Sequence, residues 1–118
     1  MIISDPSAAV ADELDDLVCW AEDAGVTLGI DFDDGGALIH LGTLGRDTAD
    51  ASTKGAGRQV MDRLCAIADR NRIVIETDHM ADEPGLGLYY GSFGFVGYDV
   101  PGGYDHLRSM RRQPGSAS

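Results

Sequence analysis

Gly55 and Gly57 flank one small residue immediately before a segment with helical periodicity. Apolar residues in that segment recur at intervals of three, four and seven positions, which is typical of an amphipathic helix. They are Val60, Met61, Leu64, Cys65 and Ala68. The first backbone N–H groups of a helix have no partner within it and lie at the positive end of its dipole. The glycine segment is therefore a candidate phosphate-binding site.

The residues beside these glycines support that hypothesis without deciding it. Lys54 is the only lysine of the chain, and Arg58 follows the second glycine. The same glycines also fit a purely structural role, in which they let the chain bend into the helix with Ser52 or Thr53 as N-cap. Because a lone Gly-x-Gly is a weak indicator, both interpretations stay open.

Charge is distributed unevenly along the 118 residues, which have a formal net charge of −11. Residues 1–45 contain ten Asp or Glu and no Lys or Arg, whereas residues 46–118 contain ten acids and nine bases. Such a balance argues against general binding to nucleic acid or to an anionic membrane. The chain has no apolar run of membrane-spanning length and no signal segment, so we expect a cytoplasmic protein.

The cysteines and histidines do not form a recognisable metal or disulfide pattern. Cys19 and Cys65 fall among the apolar positions of helical segments, so we expect both to be reduced and buried. His40, His79 and His106 are not spaced as ligands relative to either cysteine. The sequence therefore predicts no metal site.

Periodicity and turn residues predict the element order α-β-β-α-β-α-β-β, an α/β (α+β) fold with a single mixed β-sheet flanked by helices. Asp5-Pro6-Ser7 begins the first helix and Gly25 ends it. Further segments are strands 26–32 and 37–44, helix 58–70, strand 73–77, a short helix from Pro84 to Gly94, and strands 95–100 and 106–111. The first two strands should be antiparallel, and the third parallel to the second.

This chain resembles the GNAT superfamily, the acyl-CoA-dependent N-acyltransferases, over residues 37–112. Gly55-Ala56-Gly57 is similar to the pyrophosphate-binding turn of that family. Leu88-Tyr89-Tyr90-Gly91-Ser92-Phe93-Gly94-Phe95 is similar to its signature of a tyrosine, three residues and Gly-Phe. A closing strand pair with Met110-Arg111 completes the resemblance. It implies a small or N-terminally reduced member, with one GNAT-like domain in residues 1–112. From the sequence itself we expect residues 113–118 to form a disordered tail.

The resemblance also implies a ligand and a set of site residues. Acetyl-CoA would be the co-substrate, its pyrophosphate held by backbone N–H groups of Lys54, Gly55, Ala56, Gly57 and Arg58. Its pantetheine arm would lie where strands 37–44 and 73–77 diverge. Tyr90 matches the tyrosine that protonates the departing thiolate. A carboxylate after the central helix could take the proton of the acceptor amine, and Glu76 is the first candidate, with Asp78 second.

Two functions remain open at this point. One is an N-acetyltransferase that transfers an acetyl group from acetyl-CoA to a primary amine, on a small molecule or a protein, by direct attack. The other is a catalytically degenerate CoA-binding or acidic interaction module, which is favoured by Ser52 where the family usually has Arg or Gln. We expect no nucleic-acid or membrane partner, and a homodimer stays open. One lysine beside eight arginines favours a bacterial or phage genome.

Overall fold

The computed structural model describes residues 6–33, 38–46, 55–80, 82, 84–98 and 107–115. In these ranges three helices and five strands follow one another in the predicted order. The helices are α1 (Pro6–Asp23), α2 (Ala56–Asn71) and α3 (Pro84–Gly91). The strands are β1 (Val26–Asp33), β2 (Leu38–Arg46), β3 (Val74–Met80), β4 (Val96–Tyr98) and β5 (Leu107–Arg112).

The strands form one mixed sheet in the order β1-β2-β3-β5-β4. Strands β1 and β2 are antiparallel, and β2 and β3 are parallel with α2 as their crossover. Strand β5 pairs antiparallel with both β3 and β4. The predicted mixed sheet, antiparallel hairpin and parallel crossover pair are therefore confirmed.

The core lies between one face of the sheet and helices α1 and α2, which also contact each other. Residues at alternating positions of β1, β2 and β3 supply the sheet side of the core: Val26, Leu28, Ile39, Leu41 and Ile75. On α2 the predicted stripe is buried, and Val60, Met61 and Leu64 are each 0% exposed. The apolar residues spaced at the helical period therefore face the core, as the sequence predicts. Burying this stripe stabilises the fold because it removes apolar surface from water.

Helix α2 begins at Ala56, two residues earlier than predicted, and its N-cap is Gly55. The N-cap prediction for Ser52 or Thr53 was therefore wrong; both lie outside the described residues. Gly55 has φ 83° and ψ −8°, a left-handed conformation in which a Cβ atom is disfavoured. Gly55 is thus required by the backbone, and Gly57 lies within the first helical turn.

A buried arginine connects β5 to α2 and to the turn after α3. Arg112 is 3% exposed, and its Nη1 and Nη2 donate to the two carboxylate oxygens of Asp69 at 2.6 and 3.0 Å. Its Nε donates to the carbonyl oxygen of Phe93 at 2.7 Å. These hydrogen bonds from the Arg112 guanidinium hold the pKa of the Asp69 carboxyl below its ordinary value. The three contacts compensate for the removal of the guanidinium from water.

The same Asp69 carboxylate also contacts the last described residues of the chain. The backbone N–H of Gly115 donates to Oδ1 of Asp69 at 2.7 Å. Residues 113–115 thus belong to the described part of the chain, whereas residues 116–118 lie outside it. The domain boundary at residue 112 stays a prediction.

The expectation that both cysteines are buried was wrong for Cys19. Cys65 is buried, but Cys19 is exposed. The buried stripe of α1 runs through Leu17 and Ala21. Cys19 is two residues from each of them, about 200° around the helix, and so lies on the opposite side.

The two thiols should therefore differ in reactivity. Burial raises the pKa of the Cys65 thiol from 9.0 to about 11. In the native chain at pH 8 we expect one thiol to react quickly with an aromatic disulfide reagent and the second to react only as the chain unfolds. Cys19→Ser should remove the fast phase. Two fast phases in the native protein would contradict the burial of Cys65.

The same shift predicts a pH dependence of stability. Below pH 9 the Cys65 thiol is neutral in both states. Between pH 9 and about 11 the unfolded thiol ionises while the folded thiol stays protonated. The free energy of unfolding should therefore fall as pH rises through this range, and less so in Cys65→Ala.

Candidate functional site

Strands β2 and β3 separate before either of them ends. Their parallel pairing runs from Leu38 opposite Val74 to Leu41 opposite Thr77. Strand β2 then continues to Arg46 and β3 to Met80 without further pairing between them. A gap therefore opens between two parallel strands at their carboxyl ends, where ligands of open α/β sheets commonly bind.

An irregularity in β2 accompanies this separation. In the register with β1, Gly29 lies opposite Thr43 and Ile30 lies opposite Leu41, which leaves Gly42 without a partner. An extra residue of this kind bends a strand and increases its local twist. It also places Leu44 on the same face as Leu41, so that an apolar side chain follows the point of separation.

Thr77 occupies the last position at which β3 pairs with β2, and its side chain adds a hydrogen bond between the two strands there. Its Oγ1 donates to the carbonyl oxygen of Leu41 at 2.9 Å, and the residue is 2% exposed. The Tyr90 hydroxyl of α3 is hydrogen-bonded to the Thr77 side chain. Tyr90 is thereby fixed at the point where the strands part.

The N-terminus of α2 faces the same region. Gly55 provides no side-chain cap, and the first backbone bond of the helix runs from the N–H of Gln59 to the carbonyl oxygen of Gly55 at 3.2 Å. The N–H groups of Gly57 and Arg58 therefore have no partner from the helix ladder. This arrangement favours an anion.

A cavity of about 400 Å³ connects these features. Its lining consists of Leu44, Gly45, Gly55, Gly57, Arg58, Leu86, Tyr89 and Tyr90. Four residues chosen from the sequence thus meet at one cavity, namely Gly55, Gly57, Arg58 and Tyr90. Ala56 is 7% exposed and points into the core, so only its backbone remains for a ligand. Lys54 lies outside the described residues.

Glu76 does not line this cavity. It alternates with Ile75 and Thr77, so its side chain projects from the opposite face of the sheet. Both Nε and Nη2 of Arg111 donate to its Oε1, the Nε contact at 2.9 Å. This hydrogen bonding raises the pKa of Arg111. The Arg111 guanidinium also lies 4.6 Å from the centre of the Tyr98 ring.

The two tyrosines of the cavity differ in their surroundings. Burial raises the pKa of Tyr90, and the hydrogen bond with Thr77 partly offsets this. Burial also raises the pKa of Tyr89, against a smaller opposing effect of Arg58. Both phenols are therefore protonated at neutral pH and can donate a hydrogen bond or a proton.

Arg58 joins the start of α2 to the end of α3. Its guanidinium carbon lies 4.7 Å from the centre of the Phe93 ring, and Nη2 donates to Oγ of Ser92 at 3.4 Å. Ser92 in turn donates to the carbonyl oxygen of Tyr89 at 2.6 Å. The Arg58 guanidinium thus lies at the wall of the cavity, in contact with the turn that follows the helix carrying both tyrosines.

Comparison with known proteins gives a structural match but no sequence match. No family model matches the chain, and no curated protein matches it. The structure is similar to the crystal structure of Ard1 from Thermoplasma volcanium, with a TM-score of 0.61 at 14% identity. The superposition covers 86% of this chain and 77% of that one. The chain has a GNAT-like fold. At this identity the likeness shows the fold alone.

Sequence reasoning missed Tyr89 and Thr77 as residues of the site in this GNAT-like fold. Thr77 could have been found from the pattern, because a polar residue continues the buried alternation of Ile73 and Ile75. For Tyr89 the only signal was its place beside Tyr90 on a helix of eight residues.

Within the described residues, no three His, Cys, Asp or Glu side chains are grouped so that they could hold a metal ion. Among the same residues no helix is long and apolar enough to cross a membrane.

Proposed function

We propose that this protein is an N-acetyltransferase that uses acetyl-CoA and acts on a primary amine. The observation that carries the proposal is the convergence of an uncapped helix N-terminus, a cavity and a gap between parallel strands. The GNAT-like fold supports it. The acceptor would be an amine-bearing small molecule or protein.

The described residues fit coenzyme A. A Cβ atom placed on Gly55 would meet nothing within 4 Å, and one on Gly57 would meet only the Tyr89 hydroxyl, at 3.7 Å. The space in front of the free N–H groups is therefore open to a phosphate. A cavity of about 400 Å³ lies within the range of small-molecule sites. Beyond Leu41 and Thr77, the backbone groups that β2 and β3 direct at each other are available to the amides of an extended arm.

Each site residue then has a defined part in the reaction. The backbone N–H groups of Gly57 and Arg58 bind the diphosphate and thereby fix the position of the thioester. Bound acetyl-CoA supplies an activated acetyl group. The amine nitrogen forms a bond to the acetyl carbon and releases one proton to Glu76 or to water, while the carbon–sulfur bond breaks. The leaving sulfur takes the phenol proton of Tyr90, next to the point where the strands separate, and the proton released by the amine restores the phenol through solvent.

Gly57→Ala tests the binding site without disturbing the fold. The added methyl group would contact the Tyr89 hydroxyl at an ordinary distance and would project toward the bound phosphate. At 100 times its Kd, acetyl-CoA should stabilise the wild-type chain by about 2.7 kcal/mol in a thermal-shift measurement. We expect this stabilisation to be reduced in Gly57→Ala.

Gly85→Ala is the matched control, because it changes the same position of another helix. Gly85 is the second residue of α3, and a Cβ atom there would meet nothing within 4 Å. It should keep the wild-type response to acetyl-CoA. An absence of any response in the wild type would remove the transferase proposal and leave the interaction module.

Tyr90→Phe tests the proton donor. The variant keeps the ring and its contact with Phe95 but loses the hydroxyl. We expect turnover to fall about 100-fold, the usual size of a general-acid contribution. The Kd for coenzyme A should stay near the wild-type value. Equal turnover in the variant would assign Tyr90 to packing alone.

Glu76→Gln tests the base. If Glu76 accepts the amine proton, it must leave Arg111 when the acceptor binds. We then expect a lower kcat at an unchanged Kd for acetyl-CoA. Arg111→Gln removes the same ion pair but keeps the carboxylate, so this control should retain most of the wild-type kcat. An unchanged kcat in Glu76→Gln would leave Glu76 as the structural partner of Arg111.

A further inference from the structure

The ring of Tyr89 is held in place at the cavity wall. It packs edge-on against Tyr90, with centroids 5.7 Å apart, and against Phe93, with centroids 5.3 Å apart. Edge-to-face pairs of this kind favour one ring orientation. The direction of the Tyr89 hydroxyl is therefore set by its aromatic neighbours before any ligand binds.

That direction brings the hydroxyl to the N-terminus of α2. The Tyr89 oxygen lies 3.7 Å from the position that a Cβ atom of Gly57 would occupy. Gly57 is the second residue of α2, so its N–H is one of the groups that the helix ladder leaves free. A phenol donor and a row of backbone donors thus border the same small volume.

The hydroxyl groups of Tyr89 and Tyr90 differ in their hydrogen bonding. The Tyr90 hydroxyl is hydrogen-bonded to Thr77, whereas no side-chain hydrogen bond of Tyr89 is found within the described part of the chain. Tyr89 is also half-buried, so its phenol is shielded from water on one side. A protonated, fixed and partly desolvated hydroxyl is suited to donate to an anion.

We propose that the Tyr89 hydroxyl is a side-chain donor to the diphosphate of coenzyme A, opposite the backbone N–H groups of Gly57 and Arg58. The proposal rests on the proposed function, because it concerns the same cavity. It gives the diphosphate donors from both helices, α2 through its backbone and α3 through a side chain. Tyr89 thereby binds the diphosphate, while Tyr90 donates a proton to the reacting sulfur.

The test compares Tyr89→Phe with Tyr98→Phe in the full chain. Both variants delete one phenol oxygen, but Tyr98 lies on β4 under Arg111, outside the lining of the cavity. Binding of coenzyme A is measured by titration calorimetry, and inorganic pyrophosphate is measured as its competitor. Pyrophosphate carries the diphosphate without the thiol arm.

We expect Tyr89→Phe to weaken coenzyme A and pyrophosphate by the same factor, about tenfold, as for a lost hydrogen bond to a charged group. Tyr98→Phe should leave both affinities unchanged. An unfolding midpoint equal to that of the wild type would show that Tyr89→Phe keeps its packing.

Three results would overturn the inference. Unchanged coenzyme A affinity in Tyr89→Phe would overturn it while leaving the proposed function in place. A loss for coenzyme A but not for pyrophosphate would place the contact on another part of the ligand. Failure of the wild type to bind coenzyme A would remove the proposed function itself, and the inference with it.

Discussion

The end of the pairing between β2 and β3 is the constraint on which the site depends. Thr77 bonds across to Leu41 at the last paired position, and the strands then run apart. The chain passes from the carboxyl end of β2 to α2 and from that of β3 to α3. Both helices therefore begin at the edge of the sheet where the gap opens. The gap and the N-terminus of α2 meet at this edge because the crossover through α2 makes β2 and β3 parallel, so that both strands end on the same side of the sheet.

Arginine contacts hold the surrounding elements against this edge. Arg112 spans β5, α2 and the turn after α3 from a buried position, and Arg58 spans the start of α2 and the end of α3. An unpaired buried guanidinium is costly, so removing one of the Arg112 partners should destabilise the fold strongly. The exposed Arg58 contact is weaker, because solvent screens it. The stronger of these two arginine contacts thus lies in the core and the weaker one at the cavity wall.

Local sequence patterns predicted the parts of this fold that depend on interactions between residues close in sequence. The stripe from Val60 to Ala68 and the antiparallel pairing of β1 with β2 follow from helical period and short connection length. The insertion of β5 between β3 and β4 did not follow, because strand neighbours are set by contacts distant in sequence.

The site was predicted in part for the same reason. Glycine chemistry located Gly55 and Gly57, whereas α3 is apolar around most of its eight residues, so its period could not separate Tyr89 from Tyr90. Glu76 was chosen by residue type, and strand alternation then placed it on the face away from the cavity. Residue types indicated the chemistry of the site. Which side chains of a helix or strand face the cavity depends on tertiary packing, which the sequence pattern did not give.

The unpaired Gly42 has a consequence for how this chain could vary. If β2 kept this residue but paired with β1 in strict alternation beyond Leu41, Thr43 and Leu44 would exchange sides. The apolar wall of the cavity would turn to solvent, and a hydroxyl would replace it, with no change in the sequence. Deleting Gly42 would instead remove the bend and leave both side chains on their present faces, so the bulge can be lost safely only together with its extra residue.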